Sequence, residues 1–406
     1  MLFTLRQGVQ KALWRGKVAA RSTLALIEGM KWVGRPRRAA KGVPYHVFLR
    51  LDGLGDFWLW LPFVASLKKA FPDKPFVLIA NPLWKELAQR TNLFLDVLPV
   101  DPVLFRHKSA YRRSILSELI RQLPPPEVLW QTTYTRRIVV EDLLAWSIPT
   151  QSRIAWERDP ATAEPLLLSR WIDRHLYEKL LPSSLSPLAH EWVRYQHWLH
   201  TLALDKLDLS VYVHLRDQWQ TTPNGEPYII LLLGTGRSYR VPPVPLLARL
   251  LQTLQRRLGL PIYAVGTDKE TAVAEALEPY LKPITYKNLC GKHSLTEAAE
   301  KVIKAFLVVG PETGLTHIAA TMGVPTLLIA GGGHWGRFIP YPVQTPFPMK
   351  VLTHKMSCFG CGWHCGYQLS HQKPVPCIER LSPELAEQEL LGWLDLLLGL
   401  PARPSA

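Results

Sequence analysis

The sequence predicts an α/β protein with two Rossmann-like domains, and three observations support this fold class. Its 406 residues are 47% hydrophobic and 20% charged, enough apolar material for two or three folded domains. Short β-type runs alternate with helical stretches, which is typical of a parallel sheet covered on both faces. This alternation begins near Tyr45 and begins again near Tyr228. We therefore expect domains at 44–218 and 219–380, with a C-terminal helix within 381–406.

Residues 1–43 precede this pattern and form a basic extension, with ten Lys and Arg and one Glu. Uncharged residues recur at three- and four-residue steps from Leu5 to Met30, which keeps one face of a predicted helix free of charge. A basic, Trp-bearing helix of this kind could lie on an anionic bilayer. It could also pack on its own domain or on another subunit.

The first domain is expected to open with a strand at Tyr45–Leu51, because this run is short and of β type. The glycine-rich loop Asp52-Gly-Leu-Gly-Asp56 and an apolar helix to about Phe71 follow. The remaining predicted elements are strands at Phe76–Ala80, Val128–Trp130 and Arg153–Ala155, and helical stretches at Val140–Trp146, Trp171–Leu181 and His190–Leu204.

The second domain repeats the alternation after a Pro/Gly-containing boundary near Trp219–Pro227. Strands are expected at Tyr228–Leu233, Ile262–Val265 and Phe306–Val309, and helices at Val244–Gly259, Thr267–Leu277 and Leu295–Lys304. The tail Ser382–Leu398 predicts a helix with Ser382 as its N-cap and Pro383 in its first turn.

The charge of the chain favours anionic partners. It carries a net charge of +15 and has a pI near 9.6. No uncharged run reaches the length of about 18 residues that a membrane span needs, and the N-terminus lacks the apolar core of a secretory signal. We expect a cytoplasmic protein, at the inner face of the membrane if residues 1–43 bind lipid.

Three loops carry residues suited to chemistry. Asp56 is a candidate general base at a strand end, although Asp is also a favoured helix N-cap. The loop Gly234-Thr-Gly-Arg-Ser-Tyr-Arg240 offers amides, hydroxyls and guanidinium groups that suit a phosphate. The turn Glu312-Thr-Gly314 falls at a helix start, where unpaired amides and the helix dipole attract anions. Many strand–turn–helix units bind no ligand, so this turn alone is weak evidence.

A cluster of cysteines follows near the C-terminus. The spacing Cys358-x2-Cys361-x3-Cys365-x11-Cys377, with His354, His364 and His371 nearby, has enough ligands for a tetrahedral zinc or iron site. Reduced structural thiols or disulfides are the alternative. Cys290 stands apart and is expected to be buried and inert.

From about Tyr45 to Leu398, the order of motifs resembles that of glycosyltransferase family 9, the bacterial heptosyltransferases. Gly55-Asp56 with the following Leu61-Pro62 and Leu67–Pro72 resembles the N-terminal motif of the family. Val265–Glu270 resembles its Gly-x-x-x-Glu segment, and Leu289–Leu295 resembles its Leu-x-Gly-x-x-Ser-Leu stretch. Glu312–His317 resembles its Asp-Thr/Ser-Gly-x-x-His signature.

The resemblance implies a GT-B fold, with the two domains facing a central cleft, and inverting transfer from an ADP-sugar, usually ADP-heptose. In this family Asp56 would be the catalytic base, and no catalytic cofactor is used. The donor would be bound by the loops after the strands of the second domain. Their matching residues are Gly234, Thr235, Arg237, Arg240, Glu270, Glu312, Thr313, Gly314 and His317, with Arg240 at the diphosphate, Glu270 at the ribose, and His317 supporting the turn or reaching the sugar.

Three departures from the family pattern concern the donor site. Glu312 replaces the usual Asp, Arg240 replaces the usual Lys, and Val241-Pro-Pro243 replaces Arg/Lys-Trp-Pro, so the Trp is missing. The resemblance also implies that any metal at Cys358, Cys361, Cys365 and Cys377 is structural, since autotransporter heptosyltransferases hold iron with similar cysteines.

We expect an anionic glycolipid acceptor such as the lipopolysaccharide core. A protein acceptor, as for autotransporter heptosyltransferases, and a non-catalytic scaffold that binds nucleotide-sugars remain alternatives. A nucleic-acid-binding protein with a four-cysteine finger would leave the paired α/β loops unexplained, so we expect no nucleic-acid partner. The oligomeric state is left open.

Overall fold

The computed structural model describes residues 43–158, 166–182, 185–219, 225–342, 347–367 and 373–400. The basic extension predicted over 1–43 thus lies outside the described residues except for Val43. In the described part of the chain, no helix is long and apolar enough to cross a bilayer.

Two parallel six-stranded sheets organise the chain, which confirms the predicted α/β class. The first has the strand order β3-β2-β1-β4-β5-β6 and the second β12-β11-β10-β7-β8-β9. The strands of the first sheet are β1 (His46–Arg50), β2 (Phe76–Ala80), β3 (Asp96–Pro99), β4 (Val128–Gln131), β5 (Ser152–Trp156) and β6 (Lys179–Leu181). Those of the second are β7 (Ile229–Leu232), β8 (Ile262–Val265), β9 (Tyr286–Asn288), β10 (Leu307–Pro311), β11 (Thr326–Ile329) and β12 (Met349–Leu352).

Helices connect these strands. Those in the first part of the chain are α1 (Leu54–Ala70), α2 (Lys85–Arg90), α3 (Pro102–His107), α4 (Ser109–Gln122), α5 (Leu143–Ser147), α6 (Leu166–Leu176), α7 (Glu191–Thr201) and α8 (Ser210–Trp219). The later ones are α9 (Val244–Leu258), α10 (Thr271–Leu277), α11 (Leu295–Ile303), α12 (Gly314–Thr321), α13 (Pro376–Glu379) and α14 (Pro383–Leu397).

The central strands are buried along their whole length because helices cover both faces of each sheet. Every residue of β1, β2, β7, β10 and β11 is buried. The apolar runs of β1, β2, β7 and β10 are the sequence signal that predicted these strands, whereas the exposed or mixed strands β3, β9 and β12 were not predicted.

The chain divides into two compact units. Unit 1 holds the described residues up to Gly53 together with Phe63–Pro187 and Arg194–Leu207. Unit 2 holds the described residues from Asp208 onward together with Leu54–Pro62 and Leu188–Val193. Unit 2 thus includes the first turns of α1, and with them Asp56.

Several predicted elements need correction. The helical stretch Trp171–Leu181 ends at Leu176, because Lys179–Leu181 pairs with β5 as the edge strand β6. The stretch Val140–Trp146 is a π turn at Ile138–Asp142 followed by the short α5. The C-terminal helix begins as predicted, with the Ser382 side chain accepting from the Leu385 amide and Pro383 in the first turn.

Candidate active site

The second sheet reverses its strand order between β7 and β10, and two predicted loops leave the sheet there. Strands β7 and β10 are parallel neighbours, so their carboxyl ends lie at the same edge. The loop that ends at Arg240 follows β7, and the turn Glu312–Gly314 follows β10. Ligands of open α/β sheets bind at such a switch point. The fold therefore brings these two loops to the same edge of the second sheet.

The turn after β10 is a helix N-terminus with its own internal cap. The Thr316 amide donates to Thr313 Oγ1 at 3.4 Å, and the Thr313 amide donates to Thr316 Oγ1 at 2.9 Å. The amides of Gly314 and Leu315 take no part in this capping box, and they lie at the positive end of the helix dipole. The arrangement suits an anion held by main-chain amides.

Gly314 is required by close packing against α1. A Cβ at this position would lie 2.5 Å from Leu54 Cγ and 2.7 Å from Leu54 Cβ. A Cβ on Gly55 would in turn lie 3.3 Å from His317 Cδ2. The first turns of α1 and α12 are therefore in direct contact within unit 2, and Asp56 directly follows Gly55, a residue of this contact.

Asp56 occupies the first turn of α1 but does not cap the helix, since Gly53 is the N-cap. Its side chain is 26% exposed, and Oδ1 lies 3.9 Å from Arg337 Nη2. Arg337 is oriented by Glu191, whose buried carboxylate accepts a hydrogen bond from Arg337 Nε at 2.7 Å. Asp56 is thus an accessible carboxylate beside a fixed cation, and the helix N-cap alternative is wrong.

Glu312 is buried between two histidines. His334 Nδ1 donates to both of its oxygens, at 2.8 and 2.9 Å, and His317 Nε2 lies 3.7 Å from Oε1. Burial alone would raise the pKa of Glu312, but the charge of His334 and the two imidazole contacts outweigh it and hold this pKa far below its ordinary value. Glu312 is therefore an ionised carboxylate whose oxygens are already engaged.

His317 is only 1% exposed, and its Nδ1 lies at hydrogen-bond distance, 2.8 Å, from the Tyr341 hydroxyl. Of the two roles expected for His317, support of the turn matches this position, because the ring is buried, its Nδ1 is engaged by Tyr341 and its Nε2 lies 3.7 Å from Glu312 Oε1. Sequence reasoning missed His334 and Tyr341. The Gly-rich stretch that carries His334 directly after β11 was the available signal, since β11 ends at the same edge of the sheet.

Four further predicted residues, Glu270 and three of the loop after β7, lie at neighbouring strand ends. Glu270 Oε2 accepts from the Thr267 amide at 2.8 Å and from the Thr267 hydroxyl at 2.7 Å. The same oxygen would lie 3.7 Å from a Cβ on Gly234, so Glu270 faces the loop after β7. Within that loop the Thr235 hydroxyl accepts a hydrogen bond from the Arg237 amide at 3.1 Å, which closes a tight turn. The Arg237 side chain is exposed.

Arg240 ends this loop as the last residue of a 3-10 turn, Ser238–Arg240. Burial lowers the pKa of Arg240, while the charge of Glu312 acts in the opposite direction. The Arg240 guanidinium carbon lies 4.0 Å from the centroid of the Trp363 ring. Arg240 is therefore a partly desolvated cation beside the turn after β10.

The four clustered cysteines line one small pocket together with Gly332, Gly333 and Trp363. Burial raises the pKa of Cys361 and of Cys377, and none of the five cysteines forms a disulfide. Four thiols are a donor set that zinc and iron accept. Within the described ranges, however, no three His, Cys, Asp or Glu side chains converge as a metal site requires, and His371 lies outside those ranges.

Comparison with known proteins gives one family. The family described as Glycosyltransferase family 9 (heptosyltransferase) matches residues 134–357, just over half of the chain. No curated protein sequence matches the chain significantly.

Solved structures support the same fold. E. coli ADP-heptose lps heptosyltransferase II is 13% identical with a TM-score of 0.59, over 87% of this chain and 99% of that one. The glycosyl transferase family 9 protein from Veillonella parvula DSM 2008 is 16% identical with a TM-score of 0.64, over 86% of this chain and 97% of that one. E. coli heptosyltransferase WaaC with ADP-2-deoxy-2-fluoro heptose is 16% identical with a TM-score of 0.59, over 78% and 97%. At these identities the likeness shows the fold, which is the predicted GT-B type.

Proposed function

The chain belongs to glycosyltransferase family 9, the heptosyltransferases, and on that premise we propose that it transfers a heptose-type sugar from an ADP-linked donor to an anionic cell-envelope acceptor. The observation that carries this proposal is the contact between the first turns of α1 and α12. It sets an accessible carboxylate, Asp56, next to a helix N-terminus suited to a phosphate. A general base and a leaving-group site in this proximity are what sugar transfer from a nucleotide diphosphate requires.

The donor would bind at the carboxyl ends of β7, β8 and β10. Its diphosphate would meet the amides of Gly314 and Leu315 and the guanidinium of Arg240, since amides at a helix start and a desolvated cation both favour phosphate. The remaining contacts would come from the exposed or half-buried groups of the same edge: Gly234, Thr235 and Arg237 beside the phosphates, Thr313 through its hydroxyl, and Glu270 at the ribose. WaaC with a bound ADP-heptose analogue is consistent with this class of donor.

Glu312 and His317 take a different role in this proposal. Both are buried, and the carboxylate of Glu312 is shared by His334 and His317. They would hold the turn in place for the donor instead of contacting the sugar. The longer side chain of Glu312, compared with the Asp of the family, is what reaches His334.

The reaction would be a direct displacement with inversion. Asp56 accepts the proton of the acceptor hydroxyl as the oxygen forms a bond to the anomeric carbon, and the bond from that carbon to the diphosphate breaks. The negative charge that develops on the diphosphate is stabilised by Arg240 and by the amides and dipole of α12. Arg337 is held by Glu191 and lies 3.9 Å from Asp56 Oδ1 in the resting site.

The acceptor is inferred from charge. A net charge of +15 favours an anionic partner such as a phosphorylated glycolipid core, and residues 1–43 would supply the membrane contact. Two alternatives remain to be tested against this proposal: transfer to a protein acceptor, and a non-catalytic scaffold that binds nucleotide-sugars. We also retain the predicted domain ranges 44–218 and 219–380 as a proposal. For the protein's location, we propose the inner face of the cytoplasmic membrane.

The test is ADP release from ADP-heptose with a lipid A–core acceptor, comparing the wild type with Asp56→Asn. General-base catalysis is worth about 10²- to 10⁴-fold, so kcat should fall by that factor while ADP binding persists. Asp217→Asn, at an exposed carboxylate in an ion pair with Arg216, is the matched control and should retain activity. Tight ADP binding without turnover by the wild type would favour the scaffold, and turnover only with a protein acceptor would replace the glycolipid.

We also propose a structural zinc or iron held by Cys358, Cys361, Cys365 and Cys377, because the four thiols line one pocket. Metal analysis of the purified protein and of Cys361→Ser tests this. Stoichiometric metal that is lost in the variant is the expected result. A metal-free wild type with four titratable thiols, or with disulfides, would refute it.

A further inference from the structure

Trp363 contributes an aromatic surface to the donor site from outside the motifs of that site. It lies on a segment that we call the cysteine loop, residues 356–367. Its ring centroid is 4.0 Å from the guanidinium carbon of Arg240, well inside the distance of about 6 Å for a cation–π contact. The indole also lies edge-on to His334, with ring centroids 5.5 Å apart and planes at 82°. One side chain therefore touches both Arg240 and His334 at the edge of the proposed donor site.

The cysteine loop is attached to this edge by its main chain. The Gly360 amide donates to the Gly332 carbonyl at 2.7 Å, and the Gly362 amide donates to the Gly333 carbonyl at 3.0 Å. A Cβ on Gly333 would lie 2.2 Å from Trp363, and one on Gly332 would lie 2.2 Å from Phe359. The absence of side chains at Gly332 and Gly333 thus allows the loop to approach until Trp363 reaches Arg240.

The contact with Trp363 contributes to a defined position of Arg240, together with a hydrogen bond to the Tyr239 side chain. The Arg240 Nε is buried and has no hydrogen-bond partner in the described part of the chain. An arginine side chain has many rotamers, and a ligand that orders it must offset that entropy. Stacking on an indole removes most of those rotamers before a ligand arrives and leaves the in-plane N–H donors free to point at an anion.

Two of the departures from the family pattern concern the residues of this contact or its neighbours. The family Trp is missing from Val241-Pro-Pro243, and the family Lys is replaced by Arg240. A guanidinium stacks on an aromatic face better than an ammonium does, because it is planar and more weakly hydrated. An Arg at 240 is therefore the cation that a Trp on the cysteine loop can hold.

We propose that Trp363 is a positioning residue of the donor site, which holds the Arg240 guanidinium toward the donor diphosphate. This proposal rests on the proposed function, since it assumes a nucleotide-diphosphate ligand at Arg240. Trp363 acts through Arg240 and is not a catalytic residue.

The experiment measures the Kd of ADP by calorimetry for the wild type, Trp363→Ala, Trp363→Phe, Arg240→Ala and the double variant. Loss of the cation–π contact should weaken ADP binding about three- to thirty-fold in Trp363→Ala, and Trp363→Phe should recover most of it. The double variant should bind ADP no more weakly than Arg240→Ala, because Trp363 acts only through Arg240. In steady-state assays the KM for ADP-heptose should rise in Trp363→Ala while the KM for the acceptor stays constant, a split that general unfolding would not produce.

Tyr367→Ala is the matched control, because Tyr367 is an aromatic of the same loop that contacts Arg380 and not Arg240. It should bind ADP as the wild type does. If Trp363→Ala does not fold, Trp363→Leu against Trp363→Phe makes the same comparison, since Leu fills space without a π face.

The proposal is overturned if folded Trp363→Ala binds ADP within twofold of the wild type, or if the effects of Trp363→Ala and Arg240→Ala add. In those cases the wild type still binds ADP and the proposed function stands. A wild type that binds no ADP would instead refute the donor of the proposed function, and the role of Trp363 with it.

Discussion

The buried carboxylate of Glu312 provides the most direct test of how the site is built. Replacing Glu312 with Gln removes the charge that His334 and His317 share, without changing the side-chain length. Replacing it with Asp restores the residue usual in the family but shortens the side chain by about 1.5 Å, one C–C bond. The 2.8 Å contact with His334 Nδ1 would then open to roughly 4 Å, beyond hydrogen-bond distance.

The size of the effect follows from the contacts. A hydrogen bond to a charged group contributes about 1.5–3 kcal/mol, and His334, with 23% of its side chain exposed, can be rehydrated when its partner is lost. We therefore expect a loss of about 2 kcal/mol of stability for either variant. For a domain of about 150–250 residues this lowers Tm by roughly 4–8 °C. Glu389→Gln, which breaks an exposed ion pair with Lys350, should cost less than about 1 kcal/mol.

The pH dependence has a definite sign. Because the pKa of folded Glu312 lies below the ordinary 4.5, its contribution is present above pH 4.5 and is lost as the pH falls toward the folded-state value. The difference between wild type and Glu312→Gln should thus be present at pH 5 and shrink as the pH falls below 4.5. Thermal unfolding of Glu312→Gln, His334→Gln and the double variant gives the coupling energy. A coupling below about 0.5 kcal/mol would refute the pairing.

Three other predictions concern packing and protonation. Gly314→Ala should lose about 1–3 kcal/mol and most ADP binding, because its Cβ would meet Leu54 at 2.5 Å; unchanged ADP affinity would contradict this. Gly291→Ala should lower Tm in denaturation scans, since Gly291 has φ +72° and a Cβ would lie 1.7 Å from Asp268 Oδ1, whereas Gly225→Ala, in open space, should not. Burial lowers the pKa of His46 to about 4 from 6.5, so stability should fall by up to about 3 kcal/mol as the pH drops from 6.5 to 4. Urea unfolding of His46→Gln should show a flatter profile over that window.

The candidate site was predictable in part. The residues that the sequence singled out at β7, β8 and β10 do leave one edge of one sheet, because parallel strands present their carboxyl ends together. Direct donor contact by Glu312 and His317 stays a prediction, and their positions favour support of the turn, which was one of the two roles expected for His317. Burial depends on what packs over a turn, and His334, which covers Glu312, lies 22 residues further along the chain after β11.

By itself the sequence determined the fold class, the central strands and the positions of the loops at 52–56, 234–240 and 312–314, because hydrophobic runs, glycines and helix caps act over a few residues. Only the tertiary structure decided which distant side chains meet. His334 pairs with Glu312 across 22 residues, and Trp363 stacks on Arg240 from a loop beyond the last motif. Those contacts depend on strand order and on glycines that admit a second backbone. Neither the strand order nor the close approach at these glycines can be recognised from a local sequence pattern.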